Sequence, residues 1–212
     1  IRDLVLSSAP ERKLKILVME IVDRCYNSFM LYSRKGDKGT TTTFGCDQRI
    51  SKSSAIAEAL GVLDEINSFL GLCKVHEKAV SYKLSAFSFS EIIHQVQQNL
   101  FVIQAEVAGA QKSTEESKIK EIEKMIDAIE KELPPIKTFF ISGGTELSAL
   151  FDIARTIARK AERRVVEVEE EGKVKIGSNS LSYLNRLSSL LYALARLTNH
   201  KSGINEESPS YK

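Results

Sequence analysis

From Thr145 to Gly172 the chain carries Leu147, Leu150, Ala154, Ala158, Ala161, Val165 and Val168, and no proline or glycine interrupts the run. Every spacing is three or four. That period draws one apolar stripe along a helix. At about 1.5 Å per residue such a helix reaches roughly 40 Å. A stripe this long must be covered along its whole length, so the chain needs other long helices beside it.

The sequence supplies them. Between Ser54 and Leu72 the stripe is Ile56, Ala59, Leu60, Leu63, Ile66 and Leu70. Between Glu91 and Ala110 it is Ile92, Val96, Leu100, Ile103 and Val107, with Ser90 as the expected N-cap. A third run follows Ser113, where Ser-Thr-Glu-Glu has capping-box spacing; it carries Ile119, Ile122, Ile126, Ile129 and Leu133 and stops at Pro134-Pro135. The last runs from about Asn179 to Asn199 with Leu184, Leu187, Leu191 and Leu194. The expected architecture is all-α, with long helices packed side by side. No repeat and no strong strand is evident. Residues 73–89 read as a serine-rich connector. Three segments are expected: an N-terminal extension over 1–29, helical from near Pro10 or disordered; a helical domain over 30–200; and a polar, mobile tail over 201–212.

Composition excludes several classes. The net charge of +2 gives no global attraction to nucleic acid, so any basic chemistry must be local. No apolar run approaches the roughly 18 residues of a membrane span. Cys25, Cys46 and Cys73 are odd in number and lack C-x-x-C spacing, which fits free thiols in a reducing, cytoplasmic setting. His76, His94 and His200 lie far apart. Glu91 and His94 have the Glu-x-x-His spacing of di-iron bundles, but that site needs a second copy, and there is none.

Four regions can carry chemistry. Arg155, Arg159, Glu162 and Arg163 share one side of the long helix, bordering its apolar seam. They form either a solvated face with helix ion pairs or an anion clamp, in which Arg159 and Arg163, one turn apart, grip a polyphosphate. Asp64 flanks the first stripe as an exposed carboxylate or as a partner for an arginine. Asn185 sits between Leu184 and Leu187, suited to an interhelical hydrogen bond or to reading a nucleotide. Lastly, "SRKGDKGTTTT", Ser33 to Thr43, matches neither the P-loop nor the dinucleotide glycine pattern. Its glycines permit close backbone approach, and its threonine hydroxyls and N–H groups suit phosphate oxygens. Taken alone, the segment reads first as a polar turn.

These pieces occur in a known order. "YSRKGDKGTTTTFG", Lys52, "ALGVLDEINSFLGL", "FFISGG", "ARTIARKAERRVV" and "YLNRLSSLLYALAR" together resemble the trimeric, helical-bundle class of ATP:cob(I)alamin adenosyltransferases over roughly residues 31–200. The resemblance implies a ferritin-like five-helix bundle, a homotrimer, and an ATP site between neighbouring subunits. It implies transfer of the 5′-deoxyadenosyl group from MgATP to the cobalt of cob(I)alamin. By the same resemblance Ser33, Arg34, Gly36, Asp37, Gly39, Thr40, Thr41 and Thr42 close over ATP. Lys52, Glu162, Arg163 and Asn185 join them, and Arg155, Arg159 and Asp64 act in catalysis. Asp64 bridges subunits to Arg155. Phe139, with Phe140 as an adjacent rival, displaces the lower cobalt ligand. A corrinoid reductase or an adenosylcobalamin-dependent enzyme is an implied partner; nucleic acid and membrane are not. Two positions depart from the family: Ser142 stands where "PGG" is usual, and Ser189 where aspartate follows "RLS". An ATP-binding sensor without adenosyl transfer is the alternative reading.

Overall fold

The computed structural model describes residues 32, 34–43, 49–80, 83–84 and 87–211. It divides into two units, Ile1–Thr40 and Thr41–Lys212. The expected extension over 1–29, including the helix from near Pro10, lies outside the described residues.

The described residues contain five long helices: α1 (Ala55–Val80), α2 (Phe89–Val107), α3 (Glu116–Glu132), α4 (Glu146–Glu170) and α5 (Ser178–Lys201). α4 packs against both α1 and α5, α2 covers α1, and α3 covers α5. Ala154, Ala158 and Ala161 are fully buried, and such small side chains let neighbouring helices approach α4 closely. Phe151 meets Phe89 of α2 edge-on at 6.2 Å between ring centres. The bundle is therefore the all-α one the stripes require.

Four short strands accompany it: β1 (Thr40–Thr42) pairs with β2 (Arg49–Ser51), and β3 (Lys83–Leu84) pairs antiparallel with β4 (Phe87–Ser88). At two or three residues each they bury no layer of their own. β3 and β4 lie in the expected connector.

Several boundaries differ from expectation, each for a physical reason. α1 continues past Leu72 to Val80 because Cys73 and Glu77 extend its buried stripe; the glutamate disguised the pattern. α2 is capped by Ser88, not Ser90. Ser88 Oγ accepts from Glu91 N at 3.1 Å, and Glu91 Oε2 accepts from Ser88 N at 2.9 Å, a reciprocal capping box. Burial of Phe89 places the helix start ahead of Ser90. The Glu91 carboxylate thus serves a helix end. α3 begins after Glu115 with no side-chain cap. Thr114 is instead tied to the start of α5, its N–H donating to Ser180 Oγ at 3.3 Å and its carbonyl accepting from Asn179 Nδ2 at 3.1 Å. α4 starts next to Thr145, where its stripe was expected to begin, and Thr145 caps it, accepting from Ser148 N at 3.1 Å.

Buried polar groups pin the bundle. Glu106 of α2 accepts from Gly177 N at 2.7 Å and from Ser180 Oγ, holding the turn into α5. Tyr183 accepts from Asn99 Nδ2 at 3.1 Å, and burial pushes its hydroxyl up to about 12. Burial likewise pushes the Cys73 thiol up to about 12, so it packs as a small apolar group.

The tail does not hang free. Gly203, at φ 69°, turns the chain after α5, and Ile204 N donates to Asn199 O at 3.0 Å. Glu207 O then accepts from Ile141 N at 2.8 Å, docking the tail on the segment that leads into α4.

Candidate active site

The cations of α4 sort by partner. Lys160 Nζ pairs with Glu65 of α1 at 2.5 Å, and Arg164 Nη1 pairs with Glu167 at 2.7 Å. Arg159 and Arg163, both exposed, have no carboxylate within 4.0 Å among the described residues. Arg163 Nη1 instead donates to Arg159 O at 3.0 Å. Two guanidinium groups one turn apart, without internal counter-charge, form a surface suited to an anion.

Beside them Glu162 accepts from Asn185 Nδ2 at 2.8 Å. Asn185 Oδ1 accepts from Arg186 Nη1 at 2.8 Å, and Arg186 Nε pairs with Glu123 of α3 at 2.9 Å. This chain of contacts ties α4, α5 and α3 together and fixes which end of the Asn185 amide faces Glu162. Among the alternatives for Asn185, the interhelical hydrogen bond is therefore formed.

Arg155 sits a turn before Arg159 and is half-buried. Its Nε lies 3.6 Å from Asp152 Oδ1 and makes no hydrogen bond. Asp64 is exposed on α1 and makes no ion pair with Arg155 within one chain. Lys52 is exposed in the turn between β2 and α1, where Ser54 N donates to Ser51 O at 3.1 Å.

The glycine loop forms two overlapping turns: Asp37 N donates to Arg34 O at 3.4 Å and Gly39 N to Gly36 O at 3.2 Å. Arg34 takes a left-handed φ of 56°, uncommon for a residue with a side chain, and its guanidinium lies 5.5 Å from the Tyr32 ring centre. Thr40 and Thr41 are half-buried and Thr42 is exposed. Ser33 lies outside the described residues.

The segment entering α4 separates its two phenylalanines. Phe140 packs against Arg196, 5.9 Å from guanidinium carbon to ring centre, whereas Phe139 is 75% exposed. Gly143 and Gly144 follow at φ 127° and 105°. A side chain at Gly144 would come within 2.5 Å of Asn199 Oδ1, so glycine is required there twice over.

A second cluster escaped the sequence reading. Arg196 is 1% exposed; its Nη2 donates to Asp152 Oδ2 at 2.6 Å, and its Nη1 lies 2.6 Å from Glu206 Oε1. The latter contact is an ion pair rather than an aligned hydrogen bond, and Arg196 Nε has no acceptor. Tyr192 borders the group, 5.1 Å from the guanidinium; burial raises its hydroxyl pKa and the charge of Arg196 opposes the rise. The residues come from α4, α5 and the tail, so no local spacing reveals them.

Bundle and face together define a class: five-helix proteins that carry a pair of exposed arginines on one long helix. The chain belongs to the cobalamin adenosyltransferase family, whose pattern matches residues 31–198. It is 37% identical to a corrinoid adenosyltransferase of Bacillus subtilis over 181 residues, 83% of this chain and 90% of that protein. It is 36% identical to the corrinoid adenosyltransferase PduO of Citrobacter freundii over 80% of this chain; there it spans only 50% of the relative's length. A variant PduO-type ATP:corrinoid adenosyltransferase from Lactobacillus reuteri, solved with cobalamin and ATP, superposes with a TM-score of 0.76 at 28% identity, covering 86% of this chain and 97% of that one.

Proposed function

We propose that the chain transfers the 5′-deoxyadenosyl group of MgATP to the cobalt of a reduced corrinoid. The cobalt(I) electron pair attacks C5′, the C5′–O bond breaks, and its electrons leave with triphosphate. The product is adenosylcobalamin. The observation that carries this reading is the Arg159–Arg163 pair, two exposed guanidinium groups with no carboxylate within 4.0 Å among the described residues. The relatives' names give it its substrates.

Cobalt(I) is already a strong nucleophile, so the protein needs little acid–base chemistry. It must place C5′ in line and stabilise the developing charge on triphosphate. Arg159, Arg163 and Lys52 supply positive charge, and the loop over Arg34–Thr42 adds N–H groups and hydroxyls. Asn185, held by Glu162, presents an amide edge. Mg2+ typically keeps few protein ligands and binds mainly through phosphate oxygens and water; the oxygens of Asp37, Thr40, Thr41 and Thr42 suit that sparse role. When bound it neutralises triphosphate charge. Phe139, exposed before the glycine turn, offers an apolar wall to the corrinoid face.

The same reading places the site between subunits of a homotrimer, with Asp64 of one subunit facing Arg155 of the next. Exposure of Asp64, and an Arg155 Nε left without a hydrogen bond, support it. Asp64→Asn is expected to weaken trimer formation or turnover. A normal trimer by light scattering, with unchanged kinetics, would reject the bridge.

The deciding experiment mixes the protein with MgATP and chemically reduced cobalamin and follows the absorbance change that marks adenosylcobalamin. ATP binding without product would instead identify a nucleotide sensor.

A further inference from the structure

We propose that Glu206, in the C-terminal tail, is a positioning residue that sets both Arg155 and the Phe139–Thr145 segment. The proposal rests on the adenosyl-transfer reading for its kinetic consequences, but its structural core stands apart from that reading.

Glu206 Oε1 meets two donors of α5, Asn199 Nδ2 at 2.7 Å and Arg196 Nη1 at 2.6 Å. Each leads to a different part of the site. Asn199 Oδ1 accepts from Thr145 N at 3.0 Å, and its Nδ2 also donates to Gly143 O at 2.8 Å. One amide thus holds the glycine turn and the first N–H of α4. Gly144 packs so closely on that amide that a Cβ there would meet it at 2.5 Å. Along the other branch Arg196 grips Asp152, whose second oxygen faces Arg155 Nε at 3.6 Å. Two guanidinium groups and two carboxylates balance. Without the Glu206 charge, Arg196 has only Asp152, and the Asp152–Arg155 contact must compete with it. Repositioned charges in so buried a group are strongly felt.

The backbone around Phe139 depends on the same tail. Phe140 packs on Arg196, and Ile141 N donates to Glu207 O at 2.8 Å. Phe139 is thereby presented to solvent by a segment anchored on its C-terminal side. The left-handed turn at Gly203 is what returns Glu206 over α5.

The test uses the full chain. Glu206→Gln keeps size and one acceptor but removes the charge. Expected results are a kcat lowered about tenfold or more at saturating ATP and corrinoid, with KM for ATP changed less, as befits a displaced group rather than a lost contact. Glu206→Asp should recover part of the loss. Glu207→Ala should match the wild type, because only the Glu207 carbonyl is used. A ligand-free readout accompanies the kinetics: hydrogen exchange at Thr145 N and Ile141 N should quicken in Glu206→Gln, while amides in the middle of α5 stay protected. Unchanged exchange at both amides, or a kcat within about twofold of wild type, overturns the proposal. So does an activity loss that merely tracks a lower melting temperature. If the wild type itself forms no adenosylcobalamin, the functional reading fails, and the exchange data alone decide the role of Glu206.

Discussion

Arg155 and Arg159 lie one turn apart on α4 and live in opposite settings. Arg155 completes the charge balance of a buried group in which Arg196 lies between Asp152 and Glu206. Arg159 is exposed and has no carboxylate within 4.0 Å among the described residues. The same side chain therefore serves two purposes, and what separates them is the count of nearby carboxylates, not the residue type. Arg155, drawn to an acid of that buried group, is partly neutralised and has less charge to offer a ligand. An exposed arginine without one has its full charge available to phosphate. If the contrast is right, the two regions must fail differently when mutated.

The largest effect is expected in the buried group. Arg196→Ala leaves Asp152 and Glu206 as facing carboxylates in a nearly dry site, and should lower stability by about 3–5 kcal/mol. For a chain of this size that is a fall of roughly 6–20 °C in melting temperature. Denaturant titration with circular dichroism measures it. A loss under about 1 kcal/mol would mean that the group is wetter, and the contrast weaker, than its geometry states.

Next comes Arg159→Ala. Stability should hold, while adenosyl transfer falls at least about a hundredfold, the scale for losing a donor that stabilises transition-state charge. Near-wild-type turnover at saturating ATP would reject that role. The pairing matters more than either result: a large loss of stability at Arg196, and kinetics lost without stability at Arg159, is the signature that the comparison demands.

The legible parts of the molecule are those that local spacing controls. The stripe through Ala154, Ala158, Ala161 and Val165 specified α4 and its neighbours, because helical periodicity is written residue by residue. The face of Arg159 and Arg163 was legible for the same reason. The choice of Ser88 over Ser90 as a cap was not, since it depends on Phe89 finding Phe151 on another helix. Glu77 hid the end of α1 by placing a carboxylate on a buried stripe. Arg196 was invisible because its acids sit on α4 and beyond Gly203, and a charged residue in "YALARL" reads as solvated until its partners are placed. Asn185 was half legible: its odd position between leucines announced a partner, but only the packing of α4 against α5 names Glu162.

The smallest prediction sharpens the contrast within α4 itself. Lys160 adjoins Arg159 in sequence but points to Glu65, with both side chains nearly half exposed. An exposed pair of this kind contributes about 0.2–1 kcal/mol. Lys160→Ala should therefore cost no more than that in a melting experiment and leave turnover unchanged. The reason is directional: about 100° around the helix separates neighbouring residues, enough to take Lys160 off the side that carries Arg159 and onto Glu65 of α1. If Lys160→Ala instead lowers turnover as Arg159→Ala does, the α4 cations act as a diffuse field rather than as a placed pair. Carboxylate partners would then no longer mark which arginines bind.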